Sequence, residues 1–491
     1  MTSHKQKKSS PVITKQLFLN AIVCRTRSWR LYRENEVEAN EGDRFRLWQG
    51  IEIGKRARNL FKGGKLADDG NTIDEIQHTQ KLMDDVSVPA IFEGTFQIEG
   101  YITKADVLKR TEGGWHLYEV KSKTKIDASM VDDVAYTAMV LKRAEVPIVR
   151  TTLLTISTDF RLGMSDVDLF GEFDITSEVI ERVDEFQLHW QEIFATMLSG
   201  EAPDPTLIID CKRCEFFQNC TGSGITHHIF DIPRLHRTKF DKLVRLGITA
   251  IRDIPDDFQL TDRQALVHEC VKTEKPIVRK ELGKELAAIS SPIHYLDFET
   301  VATAIPLYEN VAPYEQVVTQ FSVHTLGRSN KSLSHSDYIA EPKTDCRAQL
   351  AKKLISALHG FGSIIVYSGF EAKIIKSLAR IVPDLSNDLL ALLDRIVDLE
   401  KIISNNYSHP EFHGRTSIKI TLPVLVENVS YDDLTIQDGD TAMAVFAKMA
   451  MGTSQKFRDE EMKTALRTYC CRDTFAMVKL HEKLATHCAS N

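Results

Sequence analysis

Apolar residues recur every three to four positions through QLFLNAIVCRTRSWRLYR and RFRLWQGIEIGKRARNLF, so residues 16–62 are expected as helices that close at Gly63-Gly64. The period then changes. Across residues 91–123, IFEGTFQIEGYITKADVLKR and GWHLYEVKS alternate apolar and polar side chains on either side of TEGG, which predicts a hairpin. Helical spacing returns in DDVAYTAMVLKRA; TTLLTIS reads as a strand, and residues 177–198 read as one long helix. A proline and cysteine cluster, APDPTLIIDCKRCEFFQNC, ends this first unit. Residues 226–288 read as short amphipathic helices containing LVRLGITAIRDIP. The buried-strand run SPIHYLDFET opens a second α/β unit. It continues with a strand at GSIIVYS, helices after Phe370 and Asp384, and a C-terminal helix holding RTYCCRDTFAMVKL. The sequence carries no internal repeat.

At 491 residues the chain exceeds one ordinary core and suggests two to four domains. With 43% hydrophobic and 27% charged residues the composition is that of a soluble globular protein. No apolar stretch approaches the roughly 18 uncharged residues of a membrane helix. MTSHKQKKSSPVITK has no apolar segment behind it, so it is read as a disordered tail over residues 1–14, not a signal peptide, and the expected compartment is cytoplasmic with no membrane partner. A formal charge of −7 argues against a cationic coat, yet binding of nucleic acid can be confined to local grooves. Nine cysteines without a secretory signal are no disulfide framework, and their spacing must decide their role.

The hairpin carries the first candidate chemistry. Two-metal hydrolysis of a phosphodiester needs carboxylates for the cations and a group that positions water. Glu119 and Lys121 are two apart on one strand and share a face; an antiparallel partner brings Asp106 alongside. Asp106, then Glu119-Val120-Lys121, resembles the PD-(D/E)XK nuclease core, and EVKS resembles its RecB-like branch. The resemblance implies that Asp106 and Glu119 ligate Mg²⁺ or Mn²⁺, that the Val120 carbonyl assists, and that Lys121 handles water or phosphate. Two family features are missing: G-x-x-x-H would place a histidine at Gly54, and Tyr136 lacks the glutamine of Q-x-x-x-Y.

Cys211-Lys-Arg-Cys214, followed by Cys220, puts three thiols in one short loop that needs a fourth ligand to complete a four-coordinate site. Cys24, in IVCRTRSWRLYR, is the candidate. That segment resembles the N-terminal part of CRISPR-associated and helicase-associated RecB-like nucleases, with Arg25 in place of their proline. The resemblance implies a [4Fe–4S] cluster on Cys24, Cys211, Cys214 and Cys220 that clasps the two ends of the domain. Zinc and reduced core thiols stay open as readings of the same residues. Cys270, Cys346, Cys470, Cys471 and Cys488 fit no ligand spacing and are read as buried or incidental thiols.

In SPIHYLDFET the strand ends with Asp297 and Glu299 on one face. VYSGFEAKIIKSLA places Glu371 at a strand-to-helix junction, and Tyr469-Cys-Cys-Arg-Asp473 puts a phenol one turn before a carboxylate. The order DFE, FE, YxxxD resembles the tyrosine-bearing DEDD exonucleases of the RNase H-like class. It implies Asp297, Glu299, Glu371 and Asp473 as ligands of two cations and Tyr469 as the residue on water, with Glu371 standing where the family has aspartate. Asp398 is read as a supporting ligand or a surface acid, and Arg415 and Lys419 as phosphate contacts or loop residues.

Over residues 15–485 the chain resembles a bacterial family that joins the two nucleases. The expected architecture is α/β: a disordered tail (1–14), a PD-(D/E)XK restriction-endonuclease-like domain (15–225), a short helical linker (226–288) in which LVRLGITAIRDIP resembles a helix-hairpin-helix or, equally, reads as a packing linker, and an RNase H-like domain (289–491). The expected function is metal-dependent cleavage of DNA in repair, mobile-element processing or antiviral defence. RNA processing, and a nucleic-acid-binding scaffold with a decayed first site, are the alternatives.

Overall fold

The computed structural model describes residues 12–34, 39–67, 72–327, 332–453 and 456–489, so most of the expected tail, residues 1–11, lies outside the described residues. The chain is mixed α/β and divides into two compact units, residues 1–216 with 303–315, and residues 217–302 with 316–491. The stretch 226–288 therefore packs within the second unit, and 303–315 within the first. No helix among the described residues is long and apolar enough to cross a membrane.

In the first unit, α1 (Lys15–Val23), α2 (Arg25–Arg33), α3 (Glu41–Arg58) and α4 (Thr72–Asp84) surround a sheet of six strands in sequence order: β1 (Lys65–Leu66), β2 (Ala90–Ile98), β3 (Tyr101–Thr111), β4 (Gly114–Lys121), β5 (Ile148–Ile156) and β6 (Phe170–Asp174). The pairs β1–β2 and β4–β5 are parallel and the others antiparallel. A parallel β4-to-β5 step needs a crossover, supplied by α5 (Ala128–Arg143). Glu99 and Gly100, both at positive φ (47° and 85°), split the expected first strand into β2 and β3 through a two-residue turn.

Two further expectations change. Ile13 and Thr14 belong to the fold, not to the tail: Ile13 is fully buried and bridges Tyr101, and the Thr14 hydroxyl caps α1. Residues 177–198 form two helices, α6 (Thr176–Gln187) and α7 (Trp190–Leu198). The amides of Leu188 and His189 bond three residues back, a tightening that interrupts the helix while leaving its backbone satisfied. Phe18, Tyr101, Tyr136, Phe186 and Trp190 form the aromatic centre of the core. The Tyr136 hydroxyl donates to the Ile13 and Ile102 carbonyls, so this residue is structural.

In the second unit α8 (Arg237–Arg245), α9 (Asp262–Thr273), β7 (Ile277–Val278) and α10 (Glu281–Ala287) lead into β8 (Ile293–Val301), β9 (Val317–Leu326) and β10 (Leu333–Ile339). Then follow α11 (Arg347–Ala357), β11 (Ile364–Val366), α12 (Phe370–Ile381), α13 (Ser386–Leu393), β12 (Ile396–Asp398), α14 (Leu399–Asn406), β13 (Tyr407–Ser408, paired with β7), α15 (Ile418–Leu425), α16 (Gly439–Met451) and the 34-residue α17 (Lys456–Ala489). The five-stranded sheet runs β10-β9-β8-β11-β12; β9 is antiparallel to β8 and β10, while β8, β11 and β12 are parallel.

The two faces of this sheet differ in chemistry. Leu296, Phe298, Phe321 and Val323 point into an apolar core with α11, α12 and α13. The opposite face is polar and ordered in rows across β10, β9 and β8: His335–His324–Tyr295, Asp337–Ser322–Asp297 and Ile339–Gln320–Glu299. Helix α17 lies over it. Tyr295 Oη bonds His481 Nδ1 (2.8 Å), Thr474 Oγ1 bonds both Ser322 Oγ (2.9 Å) and His324 Nδ1 (2.8 Å), and Gln320 Nε2 donates to the Leu466 carbonyl (3.0 Å).

The expected helix-hairpin-helix does not form as such. After α8 comes only a short 3-10 turn (Ile251–Asp253), and the amides of Leu246, Gly247 and Ile248 all donate to carbonyls of α8. Those amides are not offered to phosphate.

Candidate metal centres

The β3–β4 ladder ends at Val107–Tyr118, one residue short of Asp106 and Glu119. There the Asp106 carboxylate replaces the ladder by accepting from the Val120 amide at 2.7 Å. This fixes Asp106 beside Glu119, the arrangement expected from the alternation. Glu119 is 2% exposed; its Oε1 accepts from Lys15 (2.8 Å) and Lys121 (2.9 Å), while Oε2 has no hydrogen-bond partner among the described residues. Lys121 also pairs with Asp133 on α5. Burial by itself would raise Glu119, but the two ammonium groups outweigh it and hold the carboxyl at about 2. Asp106 is pushed up to about 7, by burial first and by the Glu119 charge next.

An orphaned, buried carboxylate oxygen beside a second carboxyl raised by burial and by its neighbour's charge is a site short of positive charge, which fits a divalent cation. Lys15, Asp133 and Glu93 were not singled out in the sequence. Glu93 lies on β2 between residues that pair with Val107 and Ala105, at φ 54°, and its charge reaches Asp106. Arg58 of α3 ion-pairs with Glu93 at 2.9 Å. The absent histidine position, Gly54, has open space around its Cα. Asp132, four residues before Tyr136, pairs with Arg182 at 2.6 Å.

Cys24 sits at the break between α1 and α2, extended in backbone, and its sulfur accepts from the Arg27 amide. The Arg27 guanidinium binds Glu215 (3.1 Å), next to Cys214, and the Thr26 hydroxyl binds the Pro203 carbonyl (3.2 Å). The start of α2 is thus laced to the segment that carries Cys211 and Cys214. Burial raises the Cys214 thiol, and the Cys211 sulfur adds to the shift. Cys220 falls in the second unit.

In the second unit β8, α12 and α17 bring the expected carboxylates together. Oxygens of Asp297, Glu299 and Asp473 lie within 4.8 Å of one another. Glu371, buried at the start of α12, adds its charge to that of Asp297 and Glu299. Burial and mutual repulsion raise Asp297 and Glu299 well above the carboxylate range; Glu371 is raised to about 7 and Asp473 to about 6, burial being the leading cause in each. Tyr469 hydrogen-bonds Asp473, as does Tyr431, whose hydroxyl donates to Oδ1.

Lys419 supplies the local cation. Its charge lowers both Glu299 and Asp473, and its ammonium stands 5.7 Å and 5.9 Å from the rings of Tyr431 and Tyr469. Arg415 instead lies near Asp231. Asp398 caps α14, accepting from the Lys401 amide at 2.9 Å, and raises Glu371 from a distance. Cys470 is a buried thiol, as read from the sequence, and it donates to Asp297 Oδ2 at 3.2 Å. Tyr431 and Asp438, the latter raising Glu299 by its charge, were missed; both lie in YDDLTIQDGDT, whose run of acids around a tyrosine is the signal that was available.

Residues 294–417 match the model of a Domain of unknown function (DUF2779), a span that includes Asp297, Glu299 and Glu371 but stops short of Tyr469 and Asp473. The chain is 25% identical over 206 residues to an uncharacterized protein of Mycoplasma genitalium, covering 38% of this chain and 31% of that one. Over 214 residues it is 25% identical to an uncharacterized protein of Ureaplasma parvum, covering 39% and 31%. The chain thus spans under a third of the length of these curated relatives, and its similarity to them and to DUF2779 is a similarity of part to part.

Proposed function

We propose that this chain is a metal-dependent nuclease acting on DNA, with a RecB-like PD-(D/E)XK centre in the first unit and a DEDD-type 3′→5′ exonuclease centre, tyrosine-bearing, in an RNase H-like second unit. The observation that carries this reading is the convergence of Asp297, Glu299 and Asp473, from elements far apart in sequence, on one point beneath Tyr469. The sheet order supports it: numbered within the five-stranded sheet, the strands run 3-2-1-4-5 with the second antiparallel, the order of RNase H-like folds.

Bound divalent cations would offset the carboxylate repulsion and supply Lewis acidity at the scissile phosphate. The chain's own groups do the rest. Asp297, Glu299, Glu371 and Asp473 hold the charge; Tyr469, fixed against Asp473, orients the attacking water; Lys419 offers a cation to a phosphate oxygen. In the first unit Asp106 and Glu119 hold the metal and Lys121 faces the water or phosphate. Cys24, Cys211 and Cys214, with Cys220 added on its spacing alone, take a [4Fe–4S] cluster.

The test is degradation of 5′- and 3′-labelled single- and double-stranded DNA and RNA by anaerobically purified protein with Mg²⁺ or Mn²⁺. Asp297→Ala should abolish a ladder growing from the 3′ end and leave any product of the first centre, which Asp106→Ala or Lys121→Ala removes. Tyr469→Phe should slow the ladder less than Asp473→Ala. A ladder undiminished by Asp473→Ala refutes the assignment, and degradation confined to RNA replaces DNA by RNA as substrate.

A further inference from the structure

The polar layer beneath α17 contains a second grouping that the carboxylate centre does not use. On the sheet face His324 and His335 are directly opposed on β9 and β10, with ring centroids 4.6 Å apart. Cys471, one residue past the thiol that contacts Asp297, completes the group from the helix. One ligand atom from each of His324, His335 and Cys471 lies within 4.8 Å of the other two. From these positions we propose a transition-metal site, of the zinc class, formed by the imidazoles of His324 and His335 and the thiolate of Cys471, with a fourth position open to water.

Several features suit this chemistry. Two imidazoles and one thiolate form the donor set that zinc accepts and that magnesium or manganese, which prefer oxygen, does not. The two metal classes would therefore sort between neighbouring sites by ligand type. Both rings are already held by hydroxyls: His324 Nδ1 by Thr474 Oγ1 (2.8 Å) and His335 Nε2 by Ser322 Oγ (2.9 Å). A metal-binding histidine commonly has one nitrogen steadied in this way while the other takes the metal. Ligand atoms around a tetrahedral zinc are about 3.4 Å apart for bonds of about 2.1 Å, so the group, already within 4.8 Å, need close by no more than roughly 1.4 Å. His335 is exposed and can supply that movement by side-chain rotation. Asp337 adjoins Cys471 but is ion-paired with Arg467 at 3.4 Å, which leaves three protein ligands and the open position.

The experiment uses the full chain, stripped of metal and titrated with Co²⁺ as a spectroscopic stand-in. Wild type, Cys471→Ser and His335→Ala are compared, each also in a Cys214→Ser background that removes a thiolate from the N-terminal cysteines. Wild type should show a thiolate-to-cobalt charge-transfer band that Cys471→Ser diminishes in either background, with one equivalent less of tightly bound metal. His335→Ala, at an exposed position that leaves the fold intact, should weaken cobalt binding about tenfold or more. Equal bands and equal metal content in wild type and Cys471→Ser overturn the site. So does wild-type affinity in His335→Ala, whatever the folding of the cysteine variant.

Discussion

Replacing Asp473 by asparagine should stabilise the metal-free protein while removing one carboxylate of the Asp297, Glu299 and Asp473 cluster. In the folded chain the Asp473 carboxyl is raised from an ordinary 3.8 to about 6 by burial, against the opposing hydrogen bonds of Tyr431 and Tyr469. Its folded pKa lies above its unfolded one, so the folded state holds an extra proton across this window and wild-type stability falls as pH rises from about 4 to about 6. A displacement of this size corresponds to about 3 kcal/mol at and above neutral pH. Asparagine carries no charge, keeps one oxygen to accept from a tyrosine hydroxyl, and relieves Asp297 and Glu299, both of which Asp473 raises. The exchange of a second acceptor for an amide donor takes back about 1 kcal/mol. The net gain is about 1–3 kcal/mol, or several degrees in Tm for a unit of this size. Thermal melts in a chelator from pH 4 to pH 8 measure it: the variant should lie slightly below wild type at pH 4, cross it and diverge upward to pH 6, and run parallel above. Saturating Mn²⁺ should reverse the order, because only wild type gains binding energy. A variant that melts lower than wild type by the same margin at every pH would refute the claim that these carboxylates repel one another in the folded site.

Three further outcomes are expected. Glu119→Gln should cost about 3 kcal/mol at pH 7 by taking the carboxylate from Lys15 and leaving Lys121 with Asp133 alone; since the wild-type carboxyl is held at about 2, the difference persists above about pH 4.5 and fades as pH falls toward 2, readable in urea titrations. Gly414→Ala should destabilise by about 3 kcal/mol or more, because φ is +66° and the added Cβ would stand 1.6 Å from the Asp231 carbonyl oxygen; an unchanged melting temperature would contradict that geometry. Freshly purified protein should absorb broadly near about 400 nm and carry about four irons, with Cys24→Ala bleaching it as fully as Cys214→Ala; stoichiometric zinc without iron would leave a structural zinc clasp instead.

The carboxylate centres were legible because strands fix side-chain direction by parity alone: Asp297 and Glu299, or Glu119 and Lys121, share a face whatever packs against them. The helix bearing Tyr469 and Asp473 was equally readable from its one-turn spacing. What failed to show depended on tertiary placement. β10 reads LSHSDYI, with no apolar alternation, because one of its faces meets a polar layer and its neighbour is known only from the folded sheet. Tyr431 lies in a loop, and Lys15 reaches Glu119 from 104 residues away. Cys470 and Cys471 fit no ligand spacing because their partners, Asp297, His324 and His335, come from other strands. The break at Leu188 left no mark since its amides stay bonded three residues back.

The contrast between the two faces of the second sheet bears on the order of events during synthesis. The apolar face of β8 and β9 is covered by α11, α12 and α13, which leave the ribosome soon after it. The polar face waits for α17, whose sheet-facing residues begin at Leu466, well after β10 ends at Ile339. At about 5–20 residues per second that delay is on the order of ten seconds. An oily face uncovered for so long would invite aggregation, whereas rows of histidine, serine, aspartate and glutamine remain hydrated at little cost. In the nascent chain the carboxylate cluster therefore lacks Asp473, and Tyr469 beside it, until the rest of its sheet has already folded.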